Sequence, residues 1–381
     1  MAKKASKDKK KESQRLDPTK KNKAILRFGA ELEARVIGQD RSLKEIEQSF
    51  VRLTSGIRNP ERPILTLMFL GPTGVGKTET VKVLANTLFG SNNAFTRVNC
   101  QEFSSPHQVA KLLGAPPGYV GGDIEPILSQ DNVDKFHRLA FEEKTGMFRQ
   151  GSSGSIEKLF PEDSDQYLSI VLFDEVEKAD PVMWNSLLGI LDDGHLTLGN
   201  NKTVDFTRSI IILTSNVGSF EMSKMINGRL GFGSSDAEET MANDINKSAI
   251  KAAKSVFPFE FLNRFDSIVV YDTLSEKDMY KILDLYIDDL HRRVMTTETP
   301  FLLELSNPVR KSLVKEGYDP QFGARPLRRV VEKKIVTPLS NLLSTDQIKK
   351  GDFITTRLKN NKIIFDKEAR QQKSVITVRG K

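Results

Sequence analysis

A glycine-rich loop between an apolar strand and a helix constrains this chain more than any other feature of its sequence. Residues 64–70 form an apolar run, residues 71–78 read GPTGVGKT, and residues 79–89 have the composition of a helix. Strand, glycine loop and helix in this order surround an anion with backbone N–H groups and a positive helix end. The sequence therefore predicts a site for nucleotide phosphates. The alternative, a chance glycine loop, does not explain the flanking strand and helix.

Two side chains of this loop carry the expected chemistry. We expect Lys77 to reach the β- and γ-phosphates and the Thr78 hydroxyl to bind Mg²⁺. ATP and Mg²⁺ are thus the predicted cofactors. The predicted nucleotide contacts in the loop are Gly71, Pro72, Thr73, Gly74, Val75, Gly76, Lys77 and Thr78.

Polar residues end two further apolar runs. Asp174 and Glu175 follow residues 167–173, and Asn216 ends the run 209–216. Charge at the end of a buried strand is costly unless it is paired or bound to a metal. We expect Asp174 to hold magnesium through water, Glu175 to deprotonate an attacking water, and Asn216 to hydrogen-bond that water or the γ-phosphate. The alternative is an acid pair that is satisfied beside a helix start.

Alternating strands and helices up to residue 273 predict an α/β fold, a three-layer domain around a parallel sheet with right-handed crossovers. Lys77 and the polar strand-end residues then meet at the carboxyl ends of the strands. Beyond Thr273 long amphipathic helices, the first N-capped by Ser275, and a strand–turn–strand unit predict a smaller, mostly helical α+β domain. The predicted divisions are a basic tail at 1–23, a large domain at 24–273, a small domain at 274–367 and a loose end at 368–381.

Composition narrows the classes of function. The single cysteine, Cys100, excludes a disulfide framework within the chain, and the four histidines are too scattered to indicate a metal cluster. The sequence contains no run of 18 apolar residues and no signal-peptide core. We therefore expect a cytoplasmic protein without a membrane span.

The net charge of +7 is concentrated in one segment. Residues 1–23 hold ten Lys or Arg against three acidic residues, whereas the remaining chain is balanced. A basic segment almost without apolar residues is expected to be disordered. It is either a solvated leader or a docking element for an acidic partner, a membrane surface or nucleic acid. The balanced remainder argues against nucleic acid as the main partner.

Several stretches, taken in order, resemble one family. They are 36–39 (VIGQ), the phosphate loop, 114–121 (GAPPGYVG), 172–178 (LFDEVEK), 191–194 (LDDG), 214–216 (TSN), 261–264 (FLNR), 317–320 (GYDP) and 323–326 (GARP). From residue 35 to about 365 the chain is similar to AAA+ ATPases of the Clp unfoldase family, and most similar to the second ATPase module of ClpA, ClpB and ClpC.

The resemblance implies roles that spacing alone does not assign. Val36 and Ile37 would pack on adenine, and Arg325 would sense nucleotide state from the small domain. Arg264 would be an arginine finger that acts on the γ-phosphate of the neighbouring subunit; without the resemblance it would be taken for an ordinary ion-pairing arginine. A finger offered in trans requires a head-to-tail interface that closes into a ring. The family implies a homo-hexamer.

The family also implies how a polypeptide substrate is gripped. An aromatic side chain, Tyr119, would face a central pore, and residues 195–202 would form a second pore loop. The predicted substrate-gripping loop comprises Gly118, Tyr119, Val120 and Gly121.

Three features bear on partners. Residues 230–232, which are Leu230, Gly231 and Phe232, resemble the loop by which some Clp unfoldases dock on a Clp-type peptidase.

The segment between the pore loop and Asp174 is about thirty residues longer than the family implies. We hypothesise that residues 123–166 bind substrate or an unknown adaptor; a tolerated surface insertion is the alternative. Only the basic tail precedes the module, so we expect substrate delivery to differ from that of the family.

The leading interpretation is an ATP-hydrolysing ring that threads polypeptide through its pore to unfold or disaggregate proteins, with delivery to a peptidase if one docks. A dedicated remodelling or assembly ATPase that acts on one protein complex is the alternative. A nucleic-acid motor is a third reading, favoured only by the basic tail.

Overall fold

The computed structural model describes residues 17, 20–21, 23–55, 59–114, 125–142, 168–222, 235–319 and 322–367. Its large domain contains the strands β1 (Leu65–Leu70), β2 (Thr96–Asn99), β3 (Ser169–Asp174), β4 (His195–Thr197), β5 (Thr203–Asp205), β6 (Ser209–Ser215) and β7 (Ser267–Val270). Five of these strands pair in parallel in the order β2–β3–β6–β1–β7. The other two, β4 and β5, form an antiparallel hairpin.

The central strands are apolar along their whole length because both faces of the sheet are covered. Every residue of β1, β3 and β6 is buried, as expected for a parallel sheet between two helical layers. Leu70 pairs with Ser215 and Phe173 with Leu213, so these strands end at the same edge of the sheet. The predicted α/β fold class is confirmed.

Alternate residues of β1 enter two different apolar cores. Leu67 and Phe69 belong to one core, whereas Met68 and Leu70 belong to the other, because successive side chains of a strand point to opposite faces. The helices of this domain are α1 (Lys23–Arg35), α2 (Asp40–Ser55), α3 (Lys77–Phe89), α4 (Pro106–Leu113), α5 (Gln130–Glu142), α6 (Pro181–Asp193), α7 (Ser235–Val256) and α8 (Phe259–Leu262).

Part of the segment that we predicted to be an insertion belongs to the large-domain core. Helix α5 lies within residues 123–166, and Leu128 and Val133 are fully buried against the sheet. Thr96 of β2 donates a hydrogen bond to the Asn132 carbonyl at 2.8 Å. The N-terminal part of this segment is therefore a component of the domain, and residues 143–166 lie outside the described residues.

The small domain begins at the predicted cap. Ser275 and Asp278 form a reciprocal capping box at the start of α9 (Glu276–Met295), which satisfies two backbone N–H groups of the first turn. The domain continues with β8 (Leu302–Leu305), α10 (Asn307–Gly317), α11 (Arg325–Val331), α12 (Thr337–Ser344), β9 (Phe353–Lys359) and β10 (Lys362–Lys367). Its strands pair in the order β10–β9–β8.

The helical segment from α11 to α12 is continuous but not uniform. A π-helical turn, Glu332–Val336, joins α11 to α12. Pro338 follows this turn within α12, and a proline ring disfavours regular helix in the preceding turn because it has no N–H and contacts the carbonyl four residues back. The widened turn accommodates that proline.

The two domains share one apolar core. Met279, Leu283 and Leu327 of the small domain belong to the same buried cluster as Val81 and Leu84 of α3. The helix that follows the glycine loop therefore contributes to the same core as the small domain. Among the described residues, no helix has the length and apolar character needed to cross a membrane.

Candidate nucleotide-binding site

The loop after β1 adopts a conformation that glycine makes possible. Gly71, Gly74 and Gly76 have φ angles of 146°, 72° and 114°, and a Cβ on Gly74 would lie 2.4 Å from the Phe322 carbonyl oxygen. Gly76 caps α3 without a side-chain hydrogen bond. The first N–H groups of α3 are therefore available to an anion, as in a phosphate cradle.

Lys77 is buried at the base of this loop. Its Nζ donates hydrogen bonds to the carbonyls of Gly71 at 2.5 Å and Pro72 at 2.8 Å, and to Asn216 Oδ1 at 2.9 Å. Burial lowers the pKa of Lys77 to about 8, while the negative charge of Glu177 acts in the opposite direction. The amine of Lys77 is thus removed from water, so a bound anion would stabilise its charged form.

The other loop residues surround this lysine. Pro72 and Val75 are buried, Thr73 is half-buried, and Thr78 is half-buried in the first turn of α3. Buried Gln39 fixes the loop from behind by donating to the carbonyls of Val75 at 3.2 Å and Asp272 at 2.9 Å. Gln39 therefore ties the loop to the segment that leads into the small domain.

Asp174 lies at the end of β3 with a donor on each carboxylate oxygen. Thr214 donates to its Oδ1 at 2.5 Å, and Arg97 donates to its Oδ2 at 2.5 Å. Arg97 is absent from the sequence prediction because a single basic residue within a short strand gives no signal of its own. The β2–β3 pairing could have suggested it, since Asn99 lies opposite Asp174 and Arg97 is two residues earlier.

Glu175 follows with a backbone that non-glycine residues seldom adopt. Its φ is 58°, and its N–H donates to Thr214 Oγ1 at 3.0 Å. A left-handed residue of this kind costs on the order of 1 kcal/mol and persists where the surroundings enforce it. The turn directs the side chain to Asn216, whose Nδ2 donates to Glu175 Oε1 at 3.3 Å. Asn216 therefore joins Lys77 and Glu175.

Glu177 is a second residue that the sequence prediction missed. Its Oε1 accepts the backbone N–H of Asn216 at 3.1 Å. Its Oε2 is buried and has no hydrogen-bond partner in the part of the chain that the structure describes. The short 3₁₀ turn Val176–Lys178 brings this carboxylate back toward the site, which a linear motif does not indicate.

The predicted adenine contacts lie beside the loop. Val36 is buried at the end of α1, and its Cγ1 is 3.3 Å from the position that a Cβ on Gly76 would take. Ile37 is half-buried in the turn that follows. Val36 is therefore near the glycine loop, and the contact of Val36 and Ile37 with adenine stays a prediction.

The small domain reaches the loop through the predicted sensor segment. The backbone N–H of Ala324 donates to the Gly74 carbonyl at 3.0 Å. The exposed Arg325 lies next to this contact, with its Cγ 3.3 Å from the position of a Cβ on Gly74. Its positive charge contributes to the lowered pKa of Lys77. Arg325 thus belongs to the same site as Lys77.

Arg264 does not. Its guanidinium pairs with Asp192 at 2.8 Å and with Glu260 at 3.6 Å, and Thr66 at the start of β1 donates to its carbonyl at 3.1 Å. The site residues gather at the other end of that strand.

Two predicted loops lie outside the described residues. They are the predicted pore loop, which comprises Gly118, Tyr119, Val120 and Gly121, and the predicted peptidase loop, which comprises Leu230, Gly231 and Phe232.

The residues present fit a magnesium nucleotide. Glycines close the cradle so tightly that a Cβ on Gly71 would lie 2.8 Å from the Tyr271 carbonyl oxygen. The described residues hold no cluster of three or more metal-ligating side chains. Magnesium bound with a nucleotide needs none, because phosphates and water supply most of its ligands and the protein supplies one or two oxygens. Thr78 and Asp174 are suitable for that part.

Family models match both domains of the chain. The model of the AAA domain (Cdc48 subfamily) matches residues 62–150 and 143–268. The model of the C-terminal, D2-small domain of ClpB protein matches residues 274–356.

Curated relatives extend over most of this chain. The chaperone protein ClpB of Aquifex aeolicus (strain VF5) is 35% identical over 358 residues, which are 93% of this chain and 32% of the relative. The chloroplastic chaperone protein ClpD of Arabidopsis thaliana is 38% identical over 84% of this chain and 31% of its own length. ClpC of Staphylococcus aureus (strain USA300), an ATP-binding subunit of the ATP-dependent Clp protease, is 37% identical over 85% and 35%. The chain spans about a third of the length of these relatives.

Solved structures agree in fold. The Saccharomyces cerevisiae Hsp104:casein complex in its extended conformation has a TM-score of 0.71 and 30% identity, and covers 92% of this chain and 53% of the other. A closed-state reconstruction of Hsp104 with ATPγS and FITC casein has a TM-score of 0.66 and 29% identity, with coverage of 90% and 51%. The predicted resemblance is confirmed: this chain belongs to the AAA domain family, and its C-terminal part is a D2-small domain of the ClpB type.

Proposed function

We propose that this chain hydrolyses ATP at the site formed by Lys77, Glu175 and Asn216. The main support is the pair of hydrogen bonds that Asn216 makes with Lys77 at 2.9 Å and with Glu175 at 3.3 Å. They hold a cation for the γ-phosphate and a base for the attacking water side by side at the open edge of the sheet. A phosphoryl-transfer site needs these two groups in this proximity.

Each side chain then has one task. Lys77 leaves the loop carbonyls and neutralises the β- and γ-phosphate oxygens, and Glu175 accepts the proton of the attacking water. The Asn216 amide orients that carboxylate, and Glu177 holds the Asn216 backbone in place. Magnesium, held by Thr78 and through water by Asp174, would neutralise charge that develops between the phosphates.

We further propose that the active form is a ring of six identical subunits. Arg264 lies beyond the reach of the loop in its own chain, so it serves as a finger only for a second copy packed head to tail. In the isolated chain its charge is compensated by Asp192. The small domain would report nucleotide state through Arg325 and through the Ala324 N–H, which bonds directly to the loop.

The work done by this ring would be the threading of polypeptide through its pore. The similar Hsp104 structures contain casein, and the curated relatives are chaperones and a protease subunit. Tyr119 would grip the substrate. Docking of a Clp-type peptidase at residues 230–232, binding of substrate or an adaptor at residues 123–166, and a cytoplasmic location belong to the same proposal.

An ATP-locked variant tests this function. Glu175→Gln keeps the size of the side chain and removes the base, so the purified ring should hold ATP and any captured polypeptide. Many unrelated proteins bound in the presence of ATP, and lost when Tyr119→Ala is added, would support general threading. A single bound complex would instead indicate a dedicated remodelling ATPase, and capture that Tyr119→Ala does not change would refute the pore assignment.

A further inference from the structure

Arg97 forms an ion pair with the carboxylate that we expect to serve magnesium. Its Nη2 lies 2.5 Å from Asp174 Oδ2, and the Arg97 side chain is 56% exposed whereas that of Asp174 is 10% exposed. Arg97 therefore reaches from the protein surface into the mouth of the site. Its guanidinium has no other ion pair among the described residues.

Arg97 pairs with the carboxylate oxygen of Asp174 that Thr214 does not contact. Oδ1 already accepts the Thr214 hydroxyl, and Oδ2 accepts Arg97. A nearly buried carboxylate needs a countercharge, because its desolvation is otherwise uncompensated. Arg97 supplies that countercharge when no metal is bound. Its exposure leaves it free to withdraw into solvent.

We propose that Arg97 competes with magnesium for Asp174 and thereby sets the magnesium concentration at which this site takes up nucleotide. The inference rests on the proposed nucleotide function of the site. Two cations beside one carboxylate repel each other. Magnesium therefore binds either after Arg97 has moved away from Asp174 or in spite of electrostatic repulsion by its guanidinium. In either case the arginine raises the magnesium requirement, and it is a positioning residue whose influence passes through Asp174.

Removal of the charge should lower that requirement. Arg97→Gln keeps a polar side chain with an N–H donor, although a shorter one, and removes the positive charge. We expect the magnesium concentration that gives half-maximal binding of a fluorescent ATP analogue to fall about tenfold, the scale of one charge interaction in a partly exposed site. Arg97→Lys retains the charge and should restore the wild-type requirement.

A matched control uses a similar ion pair away from the site. Arg357 pairs with Asp366 at 2.6 Å on the β9–β10 hairpin, so Arg357→Gln removes the same charge without touching Asp174. It should leave the magnesium requirement unchanged. In an Asp174→Asn background, Arg97→Gln should also have no effect, because the carboxylate for which the cations compete is gone.

The experiment is a magnesium titration of nucleotide binding, with melting curves to establish that each variant is folded. A tenfold lower requirement in Arg97→Gln, with rescue by lysine, is the expected result. An unchanged requirement would overturn the competition, and a higher one would mean that Arg97 orients Asp174 for the metal. If the wild-type chain binds no nucleotide at any magnesium concentration, the proposed function itself fails.

Discussion

Lys77 and Arg264 lie at opposite ends of strand β1. Lys77 follows the loop at the carboxyl end, and Arg264 accepts a hydrogen bond from Thr66 at the amino end. A strand of this length spans about 20 Å. Arg264 therefore cannot touch phosphates bound at its own Lys77, and a role in hydrolysis requires a second copy of the chain.

Arg264→Ala should separate hydrolysis from binding. Because we propose that the finger acts on the neighbour's γ-phosphate, the hydrolysis rate should fall on the order of 10³-fold or more. The affinity for ADP, measured by fluorescence, should stay within about twofold of wild type because ADP lacks the γ-phosphate that the finger contacts. Arg357→Ala, which removes a surface arginine of the small domain, serves as the control. Normal hydrolysis by Arg264→Ala would disprove the finger.

The lowered pKa of Lys77 makes nucleotide affinity depend on pH. In the free chain burial lowers this pKa to about 8, and bound phosphates favour the protonated form and raise it again. Lys77 is mostly protonated below pH 8, where affinity is full. Above pH 8 each unit should weaken binding about tenfold until the pKa of the bound state is reached.

This dependence can be measured by nucleotide titrations between pH 7.5 and 9.5. The nucleotide itself contributes little there, because phosphate groups complete their ionisation near pH 6 to 7, about one unit or more lower. Constant affinity over this range would contradict the pH dependence that follows from the lowered pKa of Lys77.

Glu175→Gln should bind ATP and fail to hydrolyse it. The amide retains an oxygen that can accept the Asn216 hydrogen bond but cannot take a proton from water. We expect turnover to fall by about 10² to 10⁴, the usual contribution of a general base, with no loss of affinity. Single-turnover measurements separate the two steps. Hydrolysis near the wild-type rate would assign the base to another residue.

The contact between the loop and the small domain should make Gly74 intolerant of a side chain. Its φ is 72° and a Cβ would lie 2.4 Å from the Phe322 carbonyl oxygen. Gly74→Ala should therefore lower the free energy of unfolding by about 1 to 3 kcal/mol. Gly189→Ala is the matched control, since Gly189 lies inside α6 and a Cβ there meets its nearest atom at 3.4 Å. Equal stability of both variants would contradict the described contact.

The sequence predicts the site best where functional residues follow one another along the chain. The glycine loop, the acidic pair after β3 and the polar end of β6 each predict their own position, and the parallel sheet brings them together. Arg97 and Glu177 were not predictable in this way. Arg97 enters the site only through the pairing of β2 with β3, and Glu177 only through the short turn after β3.

Helix α5 was missed for a different reason. Polar and charged residues interrupt its apolar positions. Val133 of α5 and Leu128, which precedes the helix, become core residues because the sheet and the β4–β5 hairpin provide a surface for them. Asp205 of that hairpin donates its N–H to Gln130 at 2.8 Å. Tertiary contacts of this kind decide structure where the local pattern is weak.

Mixed assemblies of two inactive variants test the central claim most directly. Lys77→Ala lacks the loop lysine and Arg264→Ala lacks the finger, so each should be inactive alone. A ring that contains both has complete sites wherever an Arg264→Ala subunit receives the finger of a Lys77→Ala neighbour, which is about one quarter of the interfaces after equal random mixing. The account predicts that the mixture regains hydrolysis well above the sum of the two variants. If co-purification shows that the variants assemble together and no activity returns, the site is not completed by a neighbouring subunit.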